Sequence, residues 1–174
     1  MRNRITGSTT LAACEIAGAV LLVAILPGVS RAQGLPAGKI LPASLALEAA
    51  SATLEACQRQ GHRVTVTVVD STGLPKVILR GDGAGIHTVD ASRRKAYTAL
   101  SMRSSTLQLD ERVRNTPAAT GIRDIDQLLV LAGGLPISVA NDVIGGIGVG
   151  GAPGGHLDEA CAQAGVDKIK DRLQ

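Results

Sequence analysis

The sequence predicts a mixed α/β domain of the α+β type, in which helices cover the faces of an antiparallel sheet. Residues 64–69 read Val-Thr-Val-Thr-Val-Val, a β-branched run that alternates with a period of two and is typical of a strand. Tight-turn residues follow this strand and two later ones, and strands joined by hairpins are antiparallel. Segments rich in Ala and Leu with helical spacing precede and follow the strands.

The first 32 residues have the pattern of a secretory signal peptide. Arg2 and Arg4 precede an apolar run of about eleven residues, and the small residues Ser30 and Ala32 stand at positions −3 and −1 of a cleavage point. We therefore expect residues 1–32 to be removed and the mature protein to be secreted or periplasmic. The apolar run is shorter than the ~20 residues that span a bilayer, so we expect no membrane span after cleavage.

The rest of the chain divides into a short arm and one domain. Residues 33–40 contain two glycines and a proline and are predicted to form a flexible N-terminal arm, and residues 41–174 are predicted to form the domain. Removal of the leader lowers the formal net charge from +3 to about +1, which leaves no basic footprint for a nucleic acid. Cys57 and Cys161 remain, and they either form a disulfide or stay as two small buried thiols.

Nine elements are predicted along the domain, in the order α-β-β-α-α-β-β-β-α. Gly61 is a natural stop for the first helix, and Pro75 places the second strand at its start or on a sheet edge. Ser105 and Gln108 form a capping-box signature at the start of the third helix. The predicted ranges are, in chain order, 42–60, 64–69, 74–80, 88–102, 105–114, 128–132, 135–140, 143–149 and 157–172.

The last three strands follow one another closely and bring the predicted sheet to five strands. Gly133-Gly134 is predicted to join the third strand to the fourth, and Asn141-Asp142 to join the fourth to the fifth, because both pairs are typical of two-residue hairpin turns. Asp158 and Glu159, in the first turn of the last helix, match the positive end of the helix dipole.

The last strand and the residues after it satisfy the G-x-G-x-x-G pattern of dinucleotide sites over residues 146–151. That fingerprint needs a βαβ unit with a further parallel strand and an acid beyond it, whereas the residues that follow here are predicted to form a helix. The glycines instead indicate a strand that something approaches closely: a helix, a neighbouring subunit or a flat ligand.

Candidate binding residues stand where glycine-rich loops meet helices. His87 and His156 each follow such a loop. At these positions a histidine either contacts a ligand or is simply a polar residue at the junction between a loop and a helix. Arg93, Arg94 and Lys95 point in three directions about 100° apart, so we expect at least one to turn toward the sheet or a partner. The sequence lacks Cys-x-x-Cys, His-Glu-x-x-His and Gly-x-Ser-x-Gly motifs.

Several blocks of the sequence belong together as a pattern that covers about residue 41 to the C terminus. The blocks are Val66-Thr67-Val68-Val69-Asp70, Gly81-Asp82-Gly83-Ala84-Gly85, Arg93-Arg94-Lys95-Ala96-Tyr97-Thr98, Arg123-Asp124-Ile125, Leu131-Ala132-Gly133-Gly134-Leu135-Pro136-Ile137, residues 145–152 and residues 157–165. Taken together, these blocks resemble the GlcG/HbpS-like family, also called the haem-degrading domain family.

The resemblance implies a profilin-like, three-layer fold with a five-stranded antiparallel sheet between helices, and assembly into homo-oligomers. For secreted members it implies haem binding, in some with slow haem breakdown and release of iron. We therefore expect a secreted haem-binding protein, with enzymatic activity left open. The alternatives are a haem-independent protein or accessory enzyme for small carboxylates, and an interaction module that signals to a membrane partner.

The resemblance also implies where a haem would bind. It places His87 or Thr88 nearest the iron, and Arg93, Arg94 or Arg123 against the propionates, because a guanidinium suits a carboxylate. The sequence holds no Phe, no Trp and a single Tyr. A haem site on this chain is therefore expected to be a shallow cleft of aliphatic side chains and glycine backbone, completed by a second subunit.

Overall fold

The computed structural model describes residues 38–173. The predicted signal peptide, residues 1–32, and most of the predicted arm, residues 33–40, lie outside this range. Within it, no helix is both long and apolar enough to cross a bilayer. The elements are, in chain order, α1 (Ala43–Arg59), β1 (Thr65–Asp70), β2 (Pro75–Arg80), α2 (Thr88–Met102), α3 (Thr106–Asn115), a 3-10 segment (Pro117–Asp124), β3 (Gly134–Val139), β4 (Asp142–Gly150), α4 (Gly155–Ile169) and a 3-10 turn (Lys170–Arg172).

Four strands form one antiparallel sheet in the order β2-β1-β4-β3. Helices α1 and α4 cover one face of this sheet and α2 covers the other, which gives three layers. The predicted antiparallel sheet flanked by helices is therefore confirmed. Pro75 begins the edge strand β2, where its missing N–H interrupts no central ladder.

The predicted strand over residues 128–132 is wrong, and the sheet has four strands rather than five. Side chains occupy backbone groups that a strand would pair with a neighbour. Arg94 donates to the Leu128 carbonyl at 2.6 Å, and the Thr98 hydroxyl accepts from the Leu129 N–H at 2.8 Å. Because α2 supplies these partners, the segment runs along the helix instead of joining the sheet.

The two hairpin turns predicted on either side of β3 also differ from the observed ones. Gly133-Gly134 is not a hairpin turn, because no strand precedes it and Gly134 begins β3. The hairpin between β3 and β4 turns at Ala140 and Asn141, one residue before the predicted pair, and Ala140 adopts a φ of 51° there. The predicted cap of α3 is confirmed, because the Ser105 hydroxyl accepts from the backbone N–H of Gln108.

The main core fills the space between the sheet and the helix pair α1 and α4. Its side chains are aliphatic, mostly Leu, Ile, Val and Ala, with Cys57 and Cys161 among them. These two cysteines form a disulfide that joins α1 to α4, with 5.4 Å between their Cα atoms. The disulfide reading, which the sequence left open, is therefore the one that the structure shows.

On the opposite face, α2 packs directly against glycine backbone of β4. A Cβ atom at Gly146 would collide with the Ala96 carbonyl oxygen, and one at Gly148 would collide with the Ser92 carbonyl oxygen. The glycine pattern therefore serves the close approach of a helix, one of the three readings that the sequence allowed.

Two buried hydroxyl pairs attach the same helix to β1. The Thr65 and Thr88 hydroxyls lie 2.7 Å apart, and the Thr67 and Ser92 hydroxyls lie 2.8 Å apart. All four side chains are buried, so each hydroxyl needs an internal partner. The pairs therefore fix the distance of α2 from the sheet and its rotation about the helix axis.

The contact between α2 and β4 predicts an unequal response to alanine along one strand. Gly148→Ala is expected to lower the free energy of unfolding by about 1–3 kcal/mol, because the new methyl group must push α2 off the sheet. Gly150→Ala, on the same face, is the control, since its Cβ would meet atoms at an ordinary 3.4 Å. Urea unfolding measures both variants, and equal losses would contradict the account.

The disulfide predicts a second stability difference. It closes a loop of 104 residues, so replacing both cysteines with alanine is expected to lower the free energy of unfolding by about 2–5 kcal/mol. Dithiothreitol should shift the wild-type urea midpoint downward and leave the midpoint of the double variant unchanged. A wild-type midpoint that does not respond to reduction would argue against the bond.

Candidate functional site

A cleft of about 290 Å³ lies where the first turns of α2 meet the end of β4 and the beginning of α4. Its walls combine backbone of the glycine-rich segment that follows β4 with a few apolar and charged side chains. The lining residues are His87, Thr88, Ala91, Lys95, Leu131, Gly150, Gly151, Ala152, Pro153, Gly154, Gly155 and Asp158. Two of the residues predicted to bind a ligand, His87 and Thr88, therefore lie in one cavity.

Three other concavities of similar size lie elsewhere on residues 38–173, with volumes of about 220, 290 and 260 Å³. One adjoins the loop between α1 and β1, one the turn between β1 and β2, and one the residues before α1. None of the five predicted binding residues lines any of the three. The cleft beside His87 is therefore the candidate site.

His87 is exposed and stands one residue before α2. Its ring lies over Gly85, where a Cβ atom would come within 2.8 Å of the imidazole Cε1. No side chain or backbone group in the described range forms a hydrogen bond or an ion pair with the ring. Both imidazole nitrogens are therefore free to meet a ligand in the cleft.

Thr88 also lines the cleft, but its hydroxyl is already used by the protein. The side chain is 2 % exposed, and its hydroxyl donates to the Gly85 carbonyl at 2.6 Å while accepting from Thr65. The oxygen would have to give up both partners to bind a metal. The geometry therefore favours His87 over Thr88 as the group that contacts a ligand.

The three predicted arginines do not line the cleft. Arg93 forms an ion pair with Asp90 on the outer surface of α2, at 2.9 Å. Arg94 and Arg123 instead donate to carbonyls of the segment 128–130, and the Nε of Arg94 is buried without a partner. The structure thus brings two of the five predicted residues together and places the arginines on other surfaces.

Sequence reasoning missed the charged pair at the wall of the cleft. Lys95 and Asp158 are 2 % and 3 % exposed, and 2.7 Å separates the Lys95 ammonium from the Asp158 Oδ2 atom. Burial raises the pKa of the Asp158 carboxyl above its ordinary value, although the ammonium of Lys95 opposes this shift. The helical periodicity predicts that at least one member of the basic trio turns toward the sheet or a partner, and Lys95 is the member that is buried.

Asp158 and Glu159 fix the backbone around the cleft in addition to matching the helix dipole. The Asp158 Oδ1 atom accepts from the Ala152 N–H at 3.0 Å, which holds the glycine-rich segment after β4. The Glu159 Oε2 atom accepts from the N–H groups of Gly133 and Leu107, at 3.2 and 3.3 Å. Two consecutive carboxylates thus hold three separate backbone segments around the site.

Gly133 explains why the pair can be buried at all. Its φ of 119° is a conformation that other residues rarely adopt, and a Cβ atom there would lie 2.9 Å from the Lys95 ammonium. The glycine therefore leaves the room that the lysine side chain occupies. Among residues 38–173, no three His, Cys, Asp or Glu side chains lie close enough together to hold a metal ion.

The anchoring of Arg123 predicts a pH dependence of stability. Hydrogen bonds from Arg114 and Arg123 hold the pKa of the buried Asp110 carboxyl below its ordinary value of 3.8, against the opposing effect of burial. Because the pKa of Asp110 is lower in the folded state than in the unfolded state, the ionised carboxyl stabilises the fold at pH values above the unfolded-state pKa. This stabilisation is lost as the pH falls through the folded-state pKa.

Asp110→Asn is therefore expected to cost about 1.5–3 kcal/mol of unfolding free energy at pH 7. The difference between the variant and the wild type should begin to shrink as the pH falls below 3.8 and should vanish below the lower folded pKa of Asp110, where its carboxyl is as neutral as the asparagine. Urea unfolding over this pH range measures the difference. A difference that stays constant down to the lowest pH would contradict the ion-pair account.

The chain is similar to known proteins over most of the described range. A family model described as haem degrading protein HbpS-like matches residues 41–167. A crystal structure of a double mutant of HbpS from Streptomyces reticuli is 41 % identical, with a TM-score of 0.73, and covers 83 % of this chain and 97 % of that chain. The crystal structure of a PduOC–haem complex is 25 % identical, with a TM-score of 0.70, and covers 75 % of this chain and 96 % of that chain.

The chain is also similar in sequence to a curated protein. An uncharacterised 15.0 kDa protein from the dhaT–dhaS intergenic region of Citrobacter freundii is 30 % identical over 115 residues, which is 63 % of this chain and 81 % of that protein. The family match spans most of the described domain, and the similar structures share its fold. The chain belongs to the HbpS-like family of haem-degrading proteins.

Proposed function

We propose that this protein binds haem in the cleft beside His87. The observation that carries the proposal is an exposed imidazole that lines a cleft of glycine backbone and has no hydrogen-bond partner among residues 38–173. Family membership and the PduOC–haem complex support haem as the ligand. In this proposal the protein is a secreted haem-binding protein, with haem breakdown or iron handling as a further activity to be tested.

The residues of the cleft fit a flat, largely apolar ligand. The segment from Gly150 to Gly155 presents backbone without bulky side chains, and Leu131 and Pro153 add apolar surface. Clefts that enclose most of a ligand measure about 300–1,000 Å³, so a cleft of about 290 Å³ would cover only part of a macrocycle. When bound, haem would supply an iron centre, which can take an imidazole nitrogen as a ligand. It would also supply two propionate carboxylates, which bind cationic groups.

We propose His87 as the residue that meets the iron, with Thr88 holding the start of α2 beneath it. Of the three arginines, Arg93 would be released from its present partner at the lowest cost, since it gives up only an exposed ion pair, which is worth little. Arg94 and Arg123 would each have to release a backbone carbonyl of the segment 128–130.

Two further parts of the proposal concern assembly and compartment. Ile86 is 84 % exposed and Leu131 is 47 % exposed, which supports a second copy of the chain covering the mouth of the cleft. The disulfide between Cys57 and Cys161 supports export, because such bonds persist in oxidising compartments. Light scattering of the purified protein, with and without haemin, tests the assembly.

The haem proposal is tested by titrating haemin into the purified protein and following the Soret band. The wild type is expected to give a saturable shift, and His87→Ala is expected to weaken binding about tenfold or more, since it removes the iron ligand. His156→Ala is the matched control, because His156 is also exposed and also lies over a glycine, Gly154, but stands outside the cleft.

The outcomes separate the candidate functions. Equal Soret titrations for His87→Ala and His156→Ala would contradict the proposed ligand. No Soret change in the wild type, together with a thermal shift in small carboxylates, would favour the haem-independent alternative. Loss of the Soret band over time, with release of iron detected by a chelator, would add haem breakdown to the function.

A further inference from the structure

The wall of the cleft contains a buried ion pair that packing alone does not require. Lys95 and Asp158 both line the cavity and are almost fully buried. Removing two charges from water is costly, and apolar side chains of similar volume often stabilise a fold as well as such a pair does. A buried pair in the wall of a cleft is therefore a candidate for a functional role.

In the described part of the chain, Lys95 uses only one of its possible hydrogen bonds, whereas both oxygens of Asp158 are already hydrogen-bonded. An ammonium group can donate three hydrogen bonds, and within residues 38–173 the Lys95 Nζ atom has one acceptor, the Asp158 Oδ2 atom. Both oxygens of Asp158 are in use, since its Oδ1 atom accepts from the Ala152 N–H. Lys95 therefore has two further donors available, and it is the one lysine or arginine among the residues that line the cleft.

We propose that Lys95 binds a carboxylate of the ligand in the cleft, and that Asp158 takes up one proton from solvent as it does so. The proposal rests on the proposed haem function, since it concerns the propionates of a haem held in this cleft. It assigns the recognition of a propionate inside the cleft to Lys95, which sequence reasoning did not select, in place of Arg93, Arg94 and Arg123.

The proton follows from the balance of charge. At neutral pH the lining carries the charges of Lys95 and Asp158, which cancel, beside a histidine, His87. A ligand carboxylate beside Lys95 adds a second negative charge to a site with a single lysine. Two carboxylates beside one cation in a poorly solvated site repel each other, which raises the pKa of one of them and favours its protonation.

Asp158 is the carboxylate placed to take that proton. Burial already raises its pKa, and the basic side chains that act on it are Lys95 on α2 and His62 in the loop before β1. The neighbouring acid, Glu159, lies against the N–H groups of Gly133 and Leu107 instead. His87 and His156 are exposed and form no ion pair with Asp158.

The test compares haemin with haemin dimethyl ester, which has the same iron and macrocycle but no free carboxylates. Calorimetric titrations at pH 8, in two buffers of different ionisation enthalpy, give both the affinity and the number of protons taken up. We expect the wild type to bind haemin about tenfold or more tightly than the diester. We also expect haemin to take up about one proton more than the diester.

Two variants divide the roles of the pair. Lys95→Met is expected to remove the preference for haemin over the diester, whereas Asp158→Asn should keep the preference and remove the extra proton. Lys76→Met is the matched control, because it removes one positive charge from β2, outside the cleft, and should change neither quantity. The wild-type comparison stands on its own if a variant fails to fold.

The outcomes keep this inference apart from the proposed function. Equal affinities of the wild type for haemin and the diester would overturn the role of Lys95 and leave haem binding by His87 intact. Equal proton uptake would overturn the role of Asp158. Failure of both ligands to bind would overturn the proposed function and this assignment with it.

Discussion

The close contact between α2 and the glycine face of β4 determines where the side chains of the cleft lie. Gly146 and Gly148 let the helix backbone rest on the strand, and buried hydroxyl pairs to β1 fix its rotation. With the helix held in this way, Thr88 and Lys95 turn inward toward the end of β4. His87, one residue before the helix, stays outside with its ring over Gly85.

A domain almost without aromatic residues has to build both its core and its site from small parts. The core is aliphatic and is joined across α1 and α4 by a disulfide, which compensates in part for the missing large side chains. The cleft likewise has no aromatic ring other than that of His87, and it is formed by glycine backbone, a few apolar side chains and one buried ion pair. Such a site suits a flat ligand that is held by its metal and its carboxylates more than by enclosure.

The sequence predicted local features well and long-range ones poorly, for physical reasons. Periodicity and turn chemistry gave α2 its observed limits and placed Ser105 as a cap, because those signals depend on nearby residues. The false strand over 128–132 has the right composition, but its backbone partners, Arg94 and Thr98, lie about 30 residues away. The ion pair joins Lys95 to Asp158 across 63 positions, and no local pattern reveals it.

A crystal structure of the protein grown with haemin, with the iron located by its anomalous scattering, tests the account most directly. We predict an iron peak bonded to an imidazole nitrogen of His87, and density for a carboxylate beside the Lys95 ammonium. An iron peak away from His87, on another surface of the domain, would contradict the account even if the protein binds haemin tightly in solution.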